Sequence, residues 1–545
     1  SFKFGGEFRD FRNNNFNNDP GALVFQNTLD PSVTNHNSFQ SAAVLTGART
    51  LGNVASRINQ NGLDFFAMDS WKVRSSLTLE LGLRYAWNMT PSEAKNRFAT
   101  VVPAPAGGTI IQQVTEPYQQ NNKNFEPRVG FAWDVRHDGK TVLRGAYAYQ
   151  VDQPITGFVT GLAANPPFAL PINSTATLAQ QTTTGLPLAT LGTNFNPAAT
   201  GRNLALLMVD PDFTNADIQS WNLNLQQQIG RDMSVMVGYF GSKGTHLEID
   251  RNINQFPILG SAPSRPLQVI SASSPIQPGA TLANTMTERT SDANSSYHAL
   301  WVTANRRMSH GLQFNTSYTW SHSIDFVSRN NNGIVVQDST NIFGSKGNSD
   351  FDARQRFVAN AIYDLPFKGN RFVSGWSVAT IGTLQSGNPV NIVLTSSAIT
   401  GVGNTVTPTV IGPIVVTGNP LGQWIAPTST PNGHNSYTGI FQTPIINAFG
   451  NMGRNSIVGP TFKNLDLSVI KNTKLTERLN LQFRADAFDL TNHPNYGQPN
   501  RAYNPRTIGG TANVDDTFGQ ITSTRFPTGD SGSSRQLQVA LKLQF

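Results

Sequence analysis

Apolar and polar residues alternate one by one along many segments of this chain. Over residues 77–87 every second residue is leucine, tyrosine or tryptophan, and the residues between them are polar, small or charged. The same two-residue period recurs over residues 221–226, 312–321 and 536–545. Successive side chains of a β-strand point to opposite faces, so each segment predicts a strand with one apolar face and one polar face.

These predicted strands come in pairs that very short turns connect. Turns such as His137-Asp138-Gly139-Lys140 and Ser309-His310-Gly311 have the composition of β-hairpin loops. A first strand over 1–11 and a last strand over 534–545 flank the pairs, which predicts fourteen strands in all. The six predicted pairs are 64–73 with 76–88, 127–136 with 141–150, 218–229 with 232–241, 297–308 with 311–324, 355–366 with 372–385, and 463–471 with 479–490.

Long connections rich in Asn, Gly, Ser, Thr and Pro separate one pair from the next. We expect them to be nearly without regular structure, apart from short strands near 390–394 and 410–416. Segment 397–450 is therefore the expected first site of cleavage by an external protease. Short and long connectors alternate along the whole chain, as in outer-membrane barrels with short periplasmic turns and long extracellular loops.

The sequence thus predicts an all-β fold, a transmembrane antiparallel β-barrel of the bacterial outer membrane. Aromatic residues near strand ends would form its two interfacial belts. These residues are Trp71, Trp87, Trp133, Tyr149, Tyr239, Tyr318 and Trp320. The competing structure, a soluble sandwich or propeller with the same aromatics in its core, does not account for the alternation of loop lengths.

Composition removes several other classes of protein. Charged residues make up only 13% of the 545 residues, and the net charge of +7 is spread along the chain. This pattern does not match a disordered chain or a nucleic-acid-binding surface. No apolar run of about 20 residues is present, which excludes a helical membrane protein. With no cysteine, the chain has neither disulfides nor thiolate metal sites.

Two groups of charged residues are candidates for function. The densest cluster, at a predicted loop-to-strand junction, suits either a Ca²⁺ or sugar-acid site or a paired network at a barrel rim. It consists of Asp350, Asp352, Arg354 and Arg356. The second group lies on polar strand faces, where charges would face the lumen or a plug domain, or would simply be hydrated. It consists of Glu80, Arg84, Arg144, Arg484, Asp486 and Lys542.

Catalytic signals are absent from the sequence. The eight histidines have no metal-ligand spacing, and the Gly-Ser-Lys-Gly runs at Gly241 and Gly344 lack the phosphate-loop pattern. No Gly-x-Ser-x-Gly nucleophile motif occurs. We expect neither an enzyme nor a cofactor.

Several segments, taken in order, resemble the barrel of Oar-like TonB-dependent receptors. They are FKFGGEFR from Phe2, DSWKVRSSLTLELGLRYAW from Asp69, NFEPRVGFAWDV from Asn124, SWNLNLQQQIG from Ser220, VGYFGSKGTHL from Val237, SSYHALWVTANRRMSHGLQFNTSYTWSHSID from Ser295, SDFDARQRFV from Ser349, NLDLSVIKNTKLTERLNLQFRADAFDLTNHPNYGQP from Asn464, and the terminal Phe545. The ordered set covers essentially the whole chain.

The resemblance implies an outer-membrane receptor that binds an extracellular ligand and takes it up with energy delivered by TonB. Members of the family have a signal peptide, an N-terminal β-sandwich, a plug and about twenty-two barrel strands. We therefore expect residues 1–545 to be a barrel domain truncated at its N-terminus, with an open seam beside strand 1–11. Its expected partners are membrane lipid, the plug, TonB and the ligand. A passive porin and a surface adhesion or assembly protein are the alternatives.

Overall fold

Fourteen long strands dominate the part of the chain that the computed structural model describes. The described residues are 1–16, 22–25, 44–103, 109–175, 204–255, 283–328, 335–394, 406–444, 448–508, 511–525 and 534–545. The long strands are β1 (Phe2–Asn15), β2 (Ser56–Arg74), β3 (Leu77–Asn88), β4 (Phe125–Asp134), β5 (Thr141–Val151), β6 (Asp217–Ile229), β7 (Met233–Asn252), β8 (Ala283–Ser309), β9 (Leu312–Asp325), β10 (Gln355–Asp364), β11 (Trp376–Gln385), β12 (Phe462–Lys474), β13 (Asn480–Phe488) and β14 (Gln536–Gln544).

Each long strand pairs antiparallel with the next along the chain, from β1 to β14, within one sheet. Every short connection lies at one end of the sheet and every long connection at the other. The sequence prediction of fourteen antiparallel strands joined by alternating short and long connectors is confirmed.

Shorter elements occupy the long connections. The short strands are Ala22–Phe25, Val44–Gly52, Ser92–Glu93, Phe98–Pro103, Thr109–Val114, Ala169–Thr175, Leu204–Val209, Gly347–Asn348, Pro389–Val390, Val393–Leu394, Thr409–Val410, Phe441–Gln442, Ile457–Val458, Ala502–Tyr503, Arg506–Ile508 and Thr511–Val514. The 3₁₀ helices are Thr156–Phe158, Thr160–Ala164, Ile342–Ser345 and Pro431–Gly433. Among the described residues, no helix has both the length and the apolar character that a membrane crossing requires.

The strand register gathers apolar side chains into continuous rows on one face. One such row runs through Leu143, Leu225, Val237, Val302, Tyr318, Phe357 and Leu384, on seven successive strands. The adjacent row on the opposite face holds Arg144, Asn224, Gly238, Trp301, Thr319, Arg356 and Gln385. We call these two surfaces the apolar face and the polar face.

Side chains on the apolar face are exposed in the isolated chain, unlike those of a soluble core. Leu225 is 46% exposed and Leu541 is 69% exposed. The predicted belt aromatics Trp71, Trp133 and Trp320 lie on the same face and are 56%, 41% and 57% exposed. An exposed apolar face of this extent requires an apolar solvent around it.

Two neighbouring strands run well beyond the length that their alternation predicts. β7 has 20 residues and β8 has 27, whereas the sequence predicts them over 232–241 and 297–308. The extra residues form a ladder of their own, in which Ile249 pairs with Thr290. They escape prediction because their sequence is polar on both faces, as in the run Thr287–Asn294.

The two outermost long strands each have one neighbour in this ladder. β1 pairs with β2, and β14 pairs with β13. Within the described residues, no ladder joins β1 to β14. In the described part of the chain, β1 and β14 are therefore the edge strands of this ladder, and the truncated barrel stays a prediction.

Connections at the far end of the sheet fold into a compact cap. Its core consists of fully buried aromatics that contact one another at 5.0–6.2 Å between ring centroids, including Tyr437, Phe441, Tyr503 and Phe518. The Tyr437 hydroxyl donates a hydrogen bond to the Phe518 carbonyl oxygen at 3.0 Å. Since 437–441 and 503–518 belong to different connections, the cap is tertiary structure rather than a set of independent loops.

The expectation that the long connections are nearly structureless is wrong for this region. Within the predicted protease site, Val406, Trp424, Ile425, Tyr437, Ile440 and Phe441 are buried in the cap core. The short strands expected near 390–394 are present as Pro389–Val390 and Val393–Leu394, whereas the strand expected over 410–416 is reduced to Thr409–Val410. All three pair only in small two-stranded sheets within the cap. Residues 397–405 and 445–447 lie outside the described residues.

We expect the packed cap to resist an external protease until its core is disrupted. Phe441→Ala should lower the local stability of the cap by about 3–5 kcal/mol, because a fully buried aromatic ring is lost. Proteinase K added to intact cells should then cleave within 406–444 much faster than in the native protein. Leu421→Ala is the matched control, since Leu421 is 84% exposed. Equally rapid cleavage of the native protein in this segment would contradict a packed cap.

Candidate functional site

A chain of ion pairs crosses the polar face near the capped end of the first strands. Arg9 and Arg84 both bind the Asp64 carboxylate, at 2.8 Å and 2.5 Å. Arg84 and Arg128 lie 3.6 Å and 3.5 Å from the carboxylate of Glu126. We call these five residues the Asp64 network. Its two carboxylates are almost completely buried, so the arginines are the partners that make their burial tolerable.

A segment that follows β5 covers this network. The Asn13 amide, on the polar face, donates a hydrogen bond to Thr156 Oγ1 at 2.9 Å. Phe158 is buried with Ile58 in an apolar cluster beside it. A cavity of about 410 Å³ separates this segment from Arg9 and Arg84. The polar face is thus the side of the sheet over which the connections fold.

Of the six charges predicted on polar strand faces, the Asp64 network includes only Arg84. Arg484 binds Asp486 at 2.7 Å, two residues along the same strand. Arg144 donates a hydrogen bond to Gln226 Oε1 at 2.7 Å. Glu80 and Lys542 share the same face by register, opposite Gly130 and Gln482. The described residues provide no ion pair to either. Register places all six residues on the polar face, but the structure does not gather them into one site.

The predicted rim cluster lies at the junction between the polar face and the cap, and part of it is a true network. Arg354 Nε lies 2.9 Å from the nearly buried Asp352 carboxylate, which also accepts a hydrogen bond from the Ser323 amide. Arg454 binds Asp350 at 3.3 Å. It also binds Asp325 at 2.6 Å. Three of the four predicted residues therefore belong to a structural network that ties the cap to β9.

Arg356 does not join this network. It lies on the polar face next to Arg525, whose pKa is lowered by burial and by the Arg356 charge. The Arg525 guanidinium donates a hydrogen bond to Asn388 Oδ1 at 2.6 Å. Alternation explains the separation, because the side chain of a strand residue follows the face of that strand rather than its sequence neighbours.

Six charged residues of these networks are not among the sequence predictions: Arg9, Asp64, Glu126, Arg128, Asp325 and Arg454. Asp64 and Glu126 occupy polar-face positions, so the alternation that identifies Arg84 also provides a signal for them. Arg454 lies in a long connection and Asp325 at the end of β9, 129 residues apart, and no local pattern links them. Among the described residues, no three His, Asp or Glu side chains converge as metal ligands would.

Two larger cavities lie where the polar face meets the cap. The rim cavity, of about 500 Å³, lies beside Asp350 and Arg454 and is lined by Phe326, Gln337, Asn391 and Arg501. The second cavity, of about 480 Å³, is lined by six serines and three carboxylates. Both have the size of small-molecule sites in proteins.

Comparison with known proteins identifies the family to which this chain belongs. Residues 1–538 match the family model described as an outer membrane beta barrel domain. None of the curated proteins matches this chain.

Solved structures of similar fold include the outer membrane transporter YddB from Escherichia coli, with 11% identity and a TM-score of 0.41 over 92% of this chain and 61% of that one. The siderophore receptor PiuA from Acinetobacter baumannii has 8% identity and a TM-score of 0.40, over 92% of this chain and 44% of that one. The ferripyoverdine receptor of the outer membrane of Pseudomonas aeruginosa has 10% identity and a TM-score of 0.40, over 100% of this chain and 49% of that one. This chain spans about half the length of these proteins.

Removing the central carboxylate of the Asp64 network should destabilise the sheet. Asp64→Ala leaves Arg9 and Arg84 without their shared partner. We expect the free energy of unfolding to fall by about 3 kcal/mol. This value is at the lower end for breaking a buried ion pair, because both arginines are partly exposed. The measurement is guanidinium-induced unfolding in detergent micelles. Asp10→Ala removes an exposed carboxylate whose partner is the exposed Arg12, so this control should change little. Equal effects of the two variants would show that the network does not stabilise the fold.

Proposed function

Because this chain belongs to the outer membrane β-barrel domain family, we propose that it is the barrel of a TonB-dependent receptor. The receptor binds an extracellular ligand in its cap and takes it up with energy delivered by TonB. The observation that carries this proposal is the cover over the polar face. The segment around Thr156 lies across the Asp64 network, and the aromatic core of the cap closes the same end of the sheet. Such an arrangement suits a gated receptor better than an open pore.

The protein lies in the bacterial outer membrane, with its apolar face toward lipid. A lysine or arginine on the lipid side costs roughly 2–4 kcal/mol near the membrane midplane. Arg84, Arg144 and Arg484 all lie on the opposite face by register. We therefore place the polar face toward the lumen, where water or a plug domain contacts these charges.

Further strands complete the barrel in this proposal. The outer edges of β1 and β14 have no strand neighbour within the described residues, and an open edge is not tolerated in lipid. Strands additional to the fourteen would cover both edges, and a plug and a TonB-contacting segment would accompany them.

Introduced cysteines test this closure, because the chain has none of its own. Phe4→Cys or Phe8→Cys, each combined with Leu537→Cys or Leu541→Cys, should form no disulfide in outer membranes under mild oxidation. Paired strands bring residues to within about 5.5 Å, so additional strands between β1 and β14 keep these thiols apart. Leu83→Cys with Ala67→Cys is the positive control, since these residues are direct partners in the β2–β3 ladder. A disulfide between β1 and β14 would show that fourteen strands close on themselves.

Conductance and TonB binding distinguish the proposed function from its alternatives. Protein purified from outer membranes should show no steady conductance in planar bilayers with potassium chloride, and it should bind the periplasmic domain of TonB in surface plasmon resonance. Steady conductance without TonB binding would overturn the proposal in favour of a passive porin. Absence of both signals would overturn it in favour of an adhesion or assembly protein that uses the cap.

A further inference from the structure

The cavity lined by serines lies on the polar face at the capped ends of consecutive strands. We call it the serine cavity. Its serine residues are Ser242, Ser295, Ser296, Ser323, Ser328 and Ser349. Register places Ser242, Tyr297 and Ser323 side by side on β7, β8 and β9. These residues share the face of Asn224 and Trp301, so the cavity lies between the cap and the proposed lumen.

Carboxylates give the serine cavity a negative charge. Asp152, Glu248 and Asp325 line it, and none of its lining residues is Lys, Arg or His. Asp325 is neutralised from outside the cavity by Arg454, at 2.6 Å. Glu248 has neither an ion pair nor a hydrogen bond to its carboxylate in the described part of the chain, and Asp152 has no ion pair there.

Arg289, the arginine whose charge acts on Glu248, already has another carboxylate partner. Arg289 lies 3.3 Å from the fully buried Asp250 carboxylate, and its guanidinium also donates a hydrogen bond to the Phe158 carbonyl oxygen. The positive charge of Arg289 is therefore paired with the negative charge of Asp250. Glu248 and Asp152 are the two carboxylates of the serine cavity that have no ion pair in the described part of the chain.

We propose that the serine cavity binds an organic cation, with an ammonium or guanidinium group of the ligand against the Glu248 carboxylate. Serine hydroxyl oxygens accept hydrogen bonds from the remaining N–H groups. The rings of Tyr297 and Phe351, which also line the cavity, offer faces for cation–π contact. This inference rests on the proposed function and deepens it by naming the chemical class of the ligand.

Protonation of Glu248 gives the site a pH dependence. Burial raises the pKa of Glu248 to about 7, with a further increase from the charge of Asp250 and an opposing decrease from Arg289. The carboxyl group is therefore mostly neutral at pH 6 and mostly charged at pH 8. Since a bound cation favours the charged form, its affinity should rise about tenfold between these two pH values. Asp152 contributes in the same direction, whereas Asp325 stays paired to Arg454.

Isothermal titration calorimetry of the protein in detergent micelles tests this inference. The cationic probes are spermidine and the dipeptide Lys-Lys, which distinguish a polyamine from a basic peptide, and maltotriose and citrate are the neutral and anionic probes. We expect at least one cationic probe to bind, more tightly at pH 8 than at pH 6. Glu248→Gln should weaken this binding tenfold or more at pH 8 and remove most of the pH dependence.

Glu116→Gln is the matched control, because Glu116 is an exposed carboxylate outside the cavity. It should leave binding unchanged. If Glu248→Gln does not fold, Asp152→Asn replaces it, since Asp152 lies at an exposed position. This variant should weaken cation binding severalfold.

Three results would overturn the inference: binding of neither cationic probe, tighter binding of maltotriose or citrate, or equal weakening by Glu116→Gln and Glu248→Gln. Failure of the proposed function is a separate result. A protein that binds spermidine through Glu248 but conducts ions steadily would retain the serine cavity as a cation site in a porin.

Discussion

Backbone hydrogen bonding in a medium without water is the constraint that the rest of this structure obeys. An unpaired N–H or C=O group in hydrocarbon costs several kcal/mol, so a strand that crosses the membrane needs a neighbour on each side. Every long strand from β2 to β13 has both neighbours. Pairing fixes the register, and the register decides which face each side chain occupies. The exposure of Leu225 and the burial of Asp64 both follow from it.

The sheet and the cap bury opposite kinds of side chain. In the sheet, leucines and aromatics point outward, and charged residues such as Asp64 and Glu126 are buried on the polar face with arginine partners. In the cap, aromatics point inward around Tyr437, as in a water-soluble domain. Networks such as that of Arg454 join the two parts at the capped end of β9.

Sequence predicts the sheet well because a strand pattern is local. A two-residue period over ten positions is sufficient to identify a strand and its faces, and short turns such as His310-Gly311 identify its partner. The cap has no such signal, since Tyr437 and Phe518 are 81 residues apart and lie in segments without a period. The charged networks likewise contain residues that a local pattern identifies and residues that only distant contacts bring together. Arg84 is found from its strand face, whereas its neighbour Arg9 and the Arg454 pair with Asp325 depend on contacts between distant segments.

The long ladder between β7 and β8 has a mechanical consequence. At about 3.3 Å per residue, the 20 residues of β7 extend about 65 Å, roughly twice the thickness of the hydrocarbon core of a bilayer. The hydrogen-bonded ribbon continues from the membrane into the cap with two register irregularities but without a break in the chain of either strand. The paired strands therefore connect the cap directly to the barrel at this point. A force on the outer end of the ribbon would act through these ladder hydrogen bonds on the membrane-spanning part of the same two strands, so the cap and the barrel wall are mechanically connected on this side of the entrance.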